Sequence, residues 1–508
     1  MESTAAGHDE LDYVGGGLQK TTNWWGAFVI GLAGTILVTG IAPVMVTYVG
    51  AAAIPSIVII TISGWLLCLF LAELSAMMPE RTGGSPSYAY PAFKTRWPRA
   101  AEHVNGFTAW AYWLGWFPVG PLNMILASLY IVSKLNLSQK GFTPIHTPIA
   151  WWTLAISIVG IVLMFIPAYL GIRFGAMFAT VLGIISMVPL TFVAIGWIFH
   201  GGNHWGDVGH FRQYDGTGFF SGLDGHGWLT IYIAFSFLLT WNVIAMEAAA
   251  CYIGECKDPE HDAKIAMTLE GGYGVFIYSL IPISFILVLG AKALNPASGL
   301  VDPKTIFVTF GKAVFGGGGN GLDWVVALLL VVALGLSALN AITGTARALH
   351  QMSVDGQFPR FFQHTNKHGV PDRSMMFNVV CMIAVVFMGG AVEIYTFSNV
   401  GYLASFLPVL VGYYLLRRDR PNLKRPFKLP EFFKYVALGL ALFYAIIYFY
   451  GGPVYASCPC YVGRNTLPYY FIGIATLLTY LPLQWYRKNV EDKKHAPSAP
   501  SAAPSHGK

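Results

Sequence analysis

Charge is what this sequence has least of. Asp, Glu, Lys and Arg make up only 11% of its 508 residues, against 55% hydrophobic, a balance that excludes an ordinary soluble domain and a disordered chain alike. Cysteine is also scarce. Of six, Cys68, Cys251, Cys256 and Cys381 fall in or beside apolar stretches, which excludes a disulfide framework. Cys458 and Cys460 form Cys-Pro-Cys in an expected outer loop, and His200, His204, His210 and His226 share another; neither set has the further ligands of a metal site, so we expect no metal and no cofactor. A basic stretch followed by an apolar leader is missing too, since the first 23 residues are polar and hold Glu2, Asp9, Glu10 and Asp12. We therefore expect no cleavable signal peptide, with the first apolar span directing insertion. Residues 495–508 are rich in Pro, Ala and Ser and read as a disordered tail.

Long apolar runs are what the sequence has in abundance. Stretches of about 20 residues, each able to cross about 30 Å of hydrocarbon as a helix, recur near 24–48, 53–77, 104–131, 149–169, 175–199 and 228–253, then 272–291, 323–346, 374–392, 396–416, 435–452 and 469–485. This predicts an all-α membrane protein of about twelve transmembrane helices, with one long helix over 374–416 as the alternative for the ninth and tenth. With the N-terminus inside, the inner segments hold 24 of the 31 Lys and Arg and the outer segments 7. Basic residues stay on the cytoplasmic side during insertion, so both termini are expected there. The run Arg417, Arg418, Arg420, Lys424, Arg425, Lys428 then reads as contact with anionic headgroups, with no nucleic-acid partner.

Polar groups inside the bilayer mark where a solute would bind, and interrupted helices supply them by releasing amides and carbonyls. Two spans look breakable. The first holds Gly31, Gly34 and Gly40 around Gly34-Thr35-Ile36, a pattern that also fits close packing of small residues. The sixth holds Trp241-Asn242-Val243-Ile244-Ala245-Met246-Glu247. A charged carboxylate near mid-bilayer costs on the order of 3 kcal/mol on insertion scales, so Glu247 is expected to be paired, protonated or facing water. It is the one carboxylate this reading places deep in a central span. First and sixth are the equivalent positions of a five-span repeat and its inverted copy. No intramembrane metal set, nucleophile elbow or carboxylate pair argues for an enzyme.

Four segments carry a family resemblance: Ala72-Glu73-Leu74-Ser75 through Pro79 to Gly83-Gly84; Glu247 through Glu255, Lys257, Asp258 and Pro259; Thr345-Ala-Arg347 through Asp355-Gly356 and Pro359 to Gly369-Val-Pro371; and Arg417-Arg418 through Arg425-Pro426-Phe427. In this order, over about residues 20–435, the chain resembles the amino acid-polyamine-organocation permeases. The resemblance implies a leucine-transporter-like fold: a cytoplasmic tail over 1–23, five-helix repeats over 24–199 and 228–416 separated by an extracellular loop over 200–227, a basic cytoplasmic loop over 417–434, two peripheral helices over 435–485, and a tail over 486–508. It implies a substrate carboxylate at Gly34, Thr35 and Ile36, an amino group at Asn242, Val243 and Ile244, and Trp241 as an occluding aromatic.

Two positions depart from the family pattern. Ile36 stands where the family has the second Gly of its first-span motif, which limits close backbone approach. Ser186 stands where many proton-coupled relatives have a Lys, leaving facilitated exchange, sodium coupling, or a proton role for Glu247. Ser337 falls near a hydroxyl position of a sodium-like site in related folds. The expectation is a secondary transporter in the plasma membrane, coupling ion H⁺ or Na⁺ open, carrying small molecules: neutral amino acids first, cationic amines or polyamines second, with exchange as an alternative mode. A non-transporting sensor on the same fold is the rival from another class.

Overall fold

The computed structural model describes residues 14–144, 147–209, 211–213, 218–222, 225–295, 298–301, 305–317, 320–457 and 465–494. His210, Cys458, Cys460 and the tail over 495–508 lie outside them. The helices are α1 (Trp24–Thr35), α2 (Val38–Tyr48), α3 (Ala53–Met77), α4 (Ala89–Lys94), α5 (Pro98–Trp116), α6 (Val119–Lys134), α7 (Trp151–Tyr169), α8 (Ile172–Ile195), α9 (Trp205–Gly209) and α10 (Trp228–Val243). They continue as α11 (Pro259–Leu289), α12 (Ala291–Leu294), α13 (Ile306–Phe315), α14 (Asn320–Val354), α15 (Asp372–Val386), α16 (Ala391–Asp419), α17 (Phe433–Ile446), α18 (Gly452–Ser457), α19 (Leu467–Leu478) and α20 (Tyr480–Tyr486). The sheet among the described residues is one two-residue antiparallel ladder, Gly141–Phe142 against Ile149–Ala150, in the loop between α6 and α7.

Ten stretches among the described residues are long and apolar enough to cross a membrane. This is an all-α, multi-span membrane protein. The other two expected spans are α15, with 15 residues, and the α19–α20 pair, interrupted at Thr479. The alternative of one helix over 374–416 does not hold: α15 ends at Val386, α16 begins at Ala391, and Gly389 between them takes a φ of 76°, open to glycine at little cost. The seventh span begins well before the expected residue 272. Pro259 opens α11, the Asp258 side chain accepts from the His261 amide, and Glu260 and Asp262 sit in the first turn, which together form a strong helix start.

The interior is built where α1 lies against the continuation of α10, α11 runs along α3, α5 along α16, and α6 along α14. Many apolar side chains of α7, α8 and α17 face outward, among them Val159, Leu163, Met177, Val188 and Leu442, as expected of helices whose outer solvent is lipid.

Candidate functional site

The first span is interrupted by tightening, not by extension. Ile36 (φ −68°, ψ −16°) and Leu37 (φ −59°, ψ −10°) both keep right-handed helical backbone between α1 and α2. Two carbonyls at the end of α1 are met from other helices: Ser337 Oγ donates to Ala33 O at 2.7 Å and Tyr278 Oη to Gly34 O at 3.1 Å. Thr35 Oγ1 is buried without a hydrogen-bond partner. The space at Gly34, expected to take a carboxylate, is filled. A Cβ built there would lie 1.8 Å from Ala245 O, and one at Gly31 would lie 2.5 Å from Ala249 N. In this conformation the two glycines seat α1 on the sixth span.

The sixth span changes winding at Ile244. After α10 it runs as 3₁₀ helix over Ile244–Cys251 and again over Ile253–Glu255. Its backbone groups are taken up by side chains from neighbouring elements: Tyr278 Oη donates to Asn242 O at 2.9 Å, Cys68 Sγ to Met246 O at 3.3 Å and Tyr88 Oη to Ala250 O at 3.4 Å, while Glu270 Oε2 accepts from Ala249 N at 2.9 Å. In a bilayer every released backbone group needs such a partner. The one hydroxyl hydrogen of Tyr278 is shared between a carbonyl of each interrupted span, so it ties the two interruptions together.

The predicted residues of the sixth span gather around this junction. Asn242, Val243 and Ile244 are fully buried, and Asn242 Oδ1 has no partner. The Trp241 indole donates to Gly115 O at 3.2 Å and stands edge-on to Tyr395, with ring centroids 4.6 Å apart. Tyr395 in turn lines a cavity of about 200 Å³ with Thr39, Gly40, Pro43, Tyr130 and Leu334. Through Tyr395, the Trp241 indole therefore backs one wall of that cavity.

Glu247 lies in the 3₁₀ segment and is fully buried. Its Oε1 accepts from Tyr402 Oη at 2.9 Å, Tyr112 Oη at 3.0 Å and Trp116 Nε1 at 3.1 Å, while Oε2 has no partner. The sequence reading misses Glu270, which is just as buried and has Oε1 unpartnered. Starting the seventh span at Gly272 puts Glu270 in a loop; the capping signal at Asp258-Pro259 would have placed it inside the helix. Ser186 stands apart from this group: its hydroxyl returns to Leu182 O of its own helix at 2.7 Å. Ser337, by contrast, reaches across to α1.

The two faces of the bundle differ. On the face of the N-terminal segment, Arg81 and Asp355 form a buried bidentate pair at 2.6 and 3.0 Å, with Asn105 Nδ2 and Gln351 Nε2 also donating to Asp355. Arg347 pairs with Glu255, both buried, its guanidinium over the Tyr252 ring. Residues 14–22 run beneath: Val14 O accepts from Arg81 and Gln351, Gly16 N donates to Glu80 O, and Thr22 N donates to Glu255 O. Two residues of the basic run turn inward. Arg417 and Arg425 pair with buried Glu73, and Lys424 with Glu260. On the opposite face, a second cavity of about 400 Å³ is lined by Leu126, Tyr130, Lys134, Thr305, Lys312 and Leu330.

One face is fastened by buried ion pairs, cavities lie toward the other, and two interrupted helices stand between them. The chain is similar to an uncharacterized transporter of Legionella pneumophila, 24% identical over 379 residues, covering 72% of this chain and 74% of that one. It is similar to the D-serine/D-alanine/glycine transporter of Escherichia coli K12 at 21% identity, covering 64% and 66% of the two chains. The cadaverine/lysine antiporter of the same strain is 24% identical, with 70% and 72% covered. All three are named as transporters, the two from Escherichia coli with amino acids or a diamine as their cargo. The amino acid permease family model matches residues 23–477, nearly the whole chain, and the protein belongs to that family.

Proposed function

We propose that the protein is a secondary transporter that carries amino acids or related small amines across the plasma membrane by alternating access, with both termini cytoplasmic. The observation that carries this reading is the pairing of interrupted spans one and six, joined by Tyr278, between a sealed face and a face with cavities. Residues 24–199 and 228–416 would be the two inverted repeats, and 435–485 the peripheral helices. The substrate carboxylate would meet Gly34, Thr35 and Ile36 once α1 moves off Ala245. Its ammonium would meet Asn242, Val243 and Ile244, where carbonyls at the end of a half-helix favour a cation. Trp241 would close over it, and Glu247 would contribute to coupling. The unpartnered Thr35 Oγ1 and Asn242 Oδ1 support the assignment, since buried polar atoms call for a partner. The relatives handle small amino acids and diamines by name, and neutral amino acids come first here.

Thermal unfolding of the detergent-solubilised protein across amino acids and amines tests the reading. A ligand at 100 times its Kd adds about 2.7 kcal/mol of stability. A melting temperature unmoved by every amino acid and amine at millimolar concentration would refute it.

A further inference from the structure

Glu270 has no role in the function proposed so far, yet it is a carboxyl group buried in the bundle with one oxygen on Ala249 N and the other on nothing. Glu247 is placed alike, with Oε2 unpartnered. Both attach to the same turn: Glu247 belongs to the 3₁₀ segment, and two residues further on is the amide that Glu270 holds. No Lys, Arg or His forms an ion pair with either among the described residues. Two negative charges buried in an apolar interior without a counter-charge are prohibitive, so the pair must take up positive charge.

Resting on the permease reading, we propose that Glu247 and Glu270 form the coupling site and that the cation bound there is a proton. A metal cation would need a shell of oxygen lone pairs. What surrounds Glu247 is the reverse, two hydroxyls and an indole aimed with their hydrogens at Oε1, an arrangement that holds the anion and repels a metal. Glu270 has a single neutral donor, so the proton resides there. The site also senses shape. An ionised carboxylate accepts a hydrogen bond about twice as strongly as a neutral group, so loss of the proton tightens Glu270 on Ala249 and gain of it loosens the 3₁₀ turn. Proton occupancy is thereby tied to the winding of the sixth span, with no need for the Lys that Ser186 replaces.

Other titratable groups lie on the packed elements. Cys251 is on the same segment, Cys68 on α3, and Tyr273 and Tyr278 on α11, while Tyr112 and Tyr402 face Glu247; Glu73 of α3 is paired with Arg417 and Arg425, and Glu255 at the end of the sixth span with Arg347. Helices α1 and α2 carry no acidic or basic side chain. Arg173 sits in the exposed first turn of α8, and Glu260, Asp262 and Lys264 near the start of α11. Asp207 on α9 holds Ala291 N, beyond the far end of α11, and Lys312 lies on α13, which also meets that far half.

The test compares wild type with Glu270→Gln and Glu247→Gln in liposomes; glutamine keeps an acceptor for Ala249 N–H and cannot titrate. Infrared difference spectra near neutral pH should show a protonated-carboxyl stretch in wild type that Glu270→Gln removes. Its absence from wild type, or its survival in both variants, overturns the proposal whether or not a substrate is known. With L-alanine and L-lysine as probes, uptake driven by an imposed proton gradient should fall at least tenfold in Glu270→Gln. Uptake at the wild-type rate, or wild-type accumulation that follows a sodium gradient alone, overturns it too. If wild type moves neither probe and none of the wider panel binds, the permease reading fails separately, and the infrared band still decides the proton.

Discussion

At the level of single residues, Gly34 and Trp241 separate packing from binding. The sequence allows Gly34 to be either a ligand contact or a packing glycine, and in this conformation it packs. Its neighbour is the Ala245 carbonyl, which is backbone and cannot swing aside. Gly34→Val should therefore lower the melting temperature and the yield, by more than the 1–3 kcal/mol usual for overpacking. A well-folded Gly34→Val that binds as wild type would show that α1 rests away from Ala245 and would remove Gly34 from the site. Trp241→Ala removes the indole behind the Tyr395 wall of the cavity, so ligand affinity should fall about tenfold, about 1.4 kcal/mol, while both ends of the ligand remain held. Affinity equal to wild type would mean that the Trp241–Tyr395 pair does not cover the ligand.

At the level of elements, the interruptions of the first and sixth spans were visible in the sequence, and their partners were not. Glycines in the first and an Asn and Glu in the sixth are local signals that a helix will break. Tyr278, Cys68, Tyr88 and Glu270 lie on other elements and look like ordinary residues of apolar helices; only tertiary packing brings them to the released groups. Boundaries failed for a related reason. The pair Gly271-Gly272 resembles a helix start in a hydropathy reading, whereas capping chemistry sets it at Pro259. Charge counts likewise cannot show that Arg417 and Arg425 turn inward onto Glu73. Tyr278→Phe tests the capping directly. It keeps the ring and leaves the carbonyls of Gly34 and Asn242 without their donor, at about 1–3 kcal/mol for a buried unsatisfied group. Ligand affinity should change with it, since the Asn242 carbonyl belongs to the proposed ammonium position and Gly34 to the proposed carboxylate position. A drop in melting temperature with unaltered affinity would leave Tyr278 as a structural tie alone.

At the level of the whole molecule, the proposed alternating access requires one face to be held shut at a time, and the face of the N-terminal segment has an identifiable fastening. Arg81 and Asp355 are buried together, and residues 14–22 cover them, with Val14 O on the same guanidinium. Close backbone contact completes the seal: a Cβ at Gly254 would lie 2.5 Å from Arg81 O, and one at Gly83 2.7 Å from Ala348 Cα. Removing one partner of a buried ion pair leaves the other charge stranded, at about 3–5 kcal/mol. Asp355→Asn applies that penalty to the shut arrangement only, because an open face lets Arg81 meet water. The population should shift toward opening on this side, and every 1.4 kcal/mol realised is about tenfold. Cys251 and Cys256 are native reporters, both buried, Cys256 beside Thr22 of the segment and Cys251 behind Gly84. A membrane-impermeant maleimide added from the N-terminal face should label them at least tenfold faster in Asp355→Asn than in wild type, read peptide by peptide by mass spectrometry. Equal labelling rates, in a variant whose melting temperature shows it to be folded, would mean that this ion pair does not hold the face shut and that the remaining contacts, the Arg347–Glu255 pair, the bonds of residues 14–22 and the glycine approaches, do.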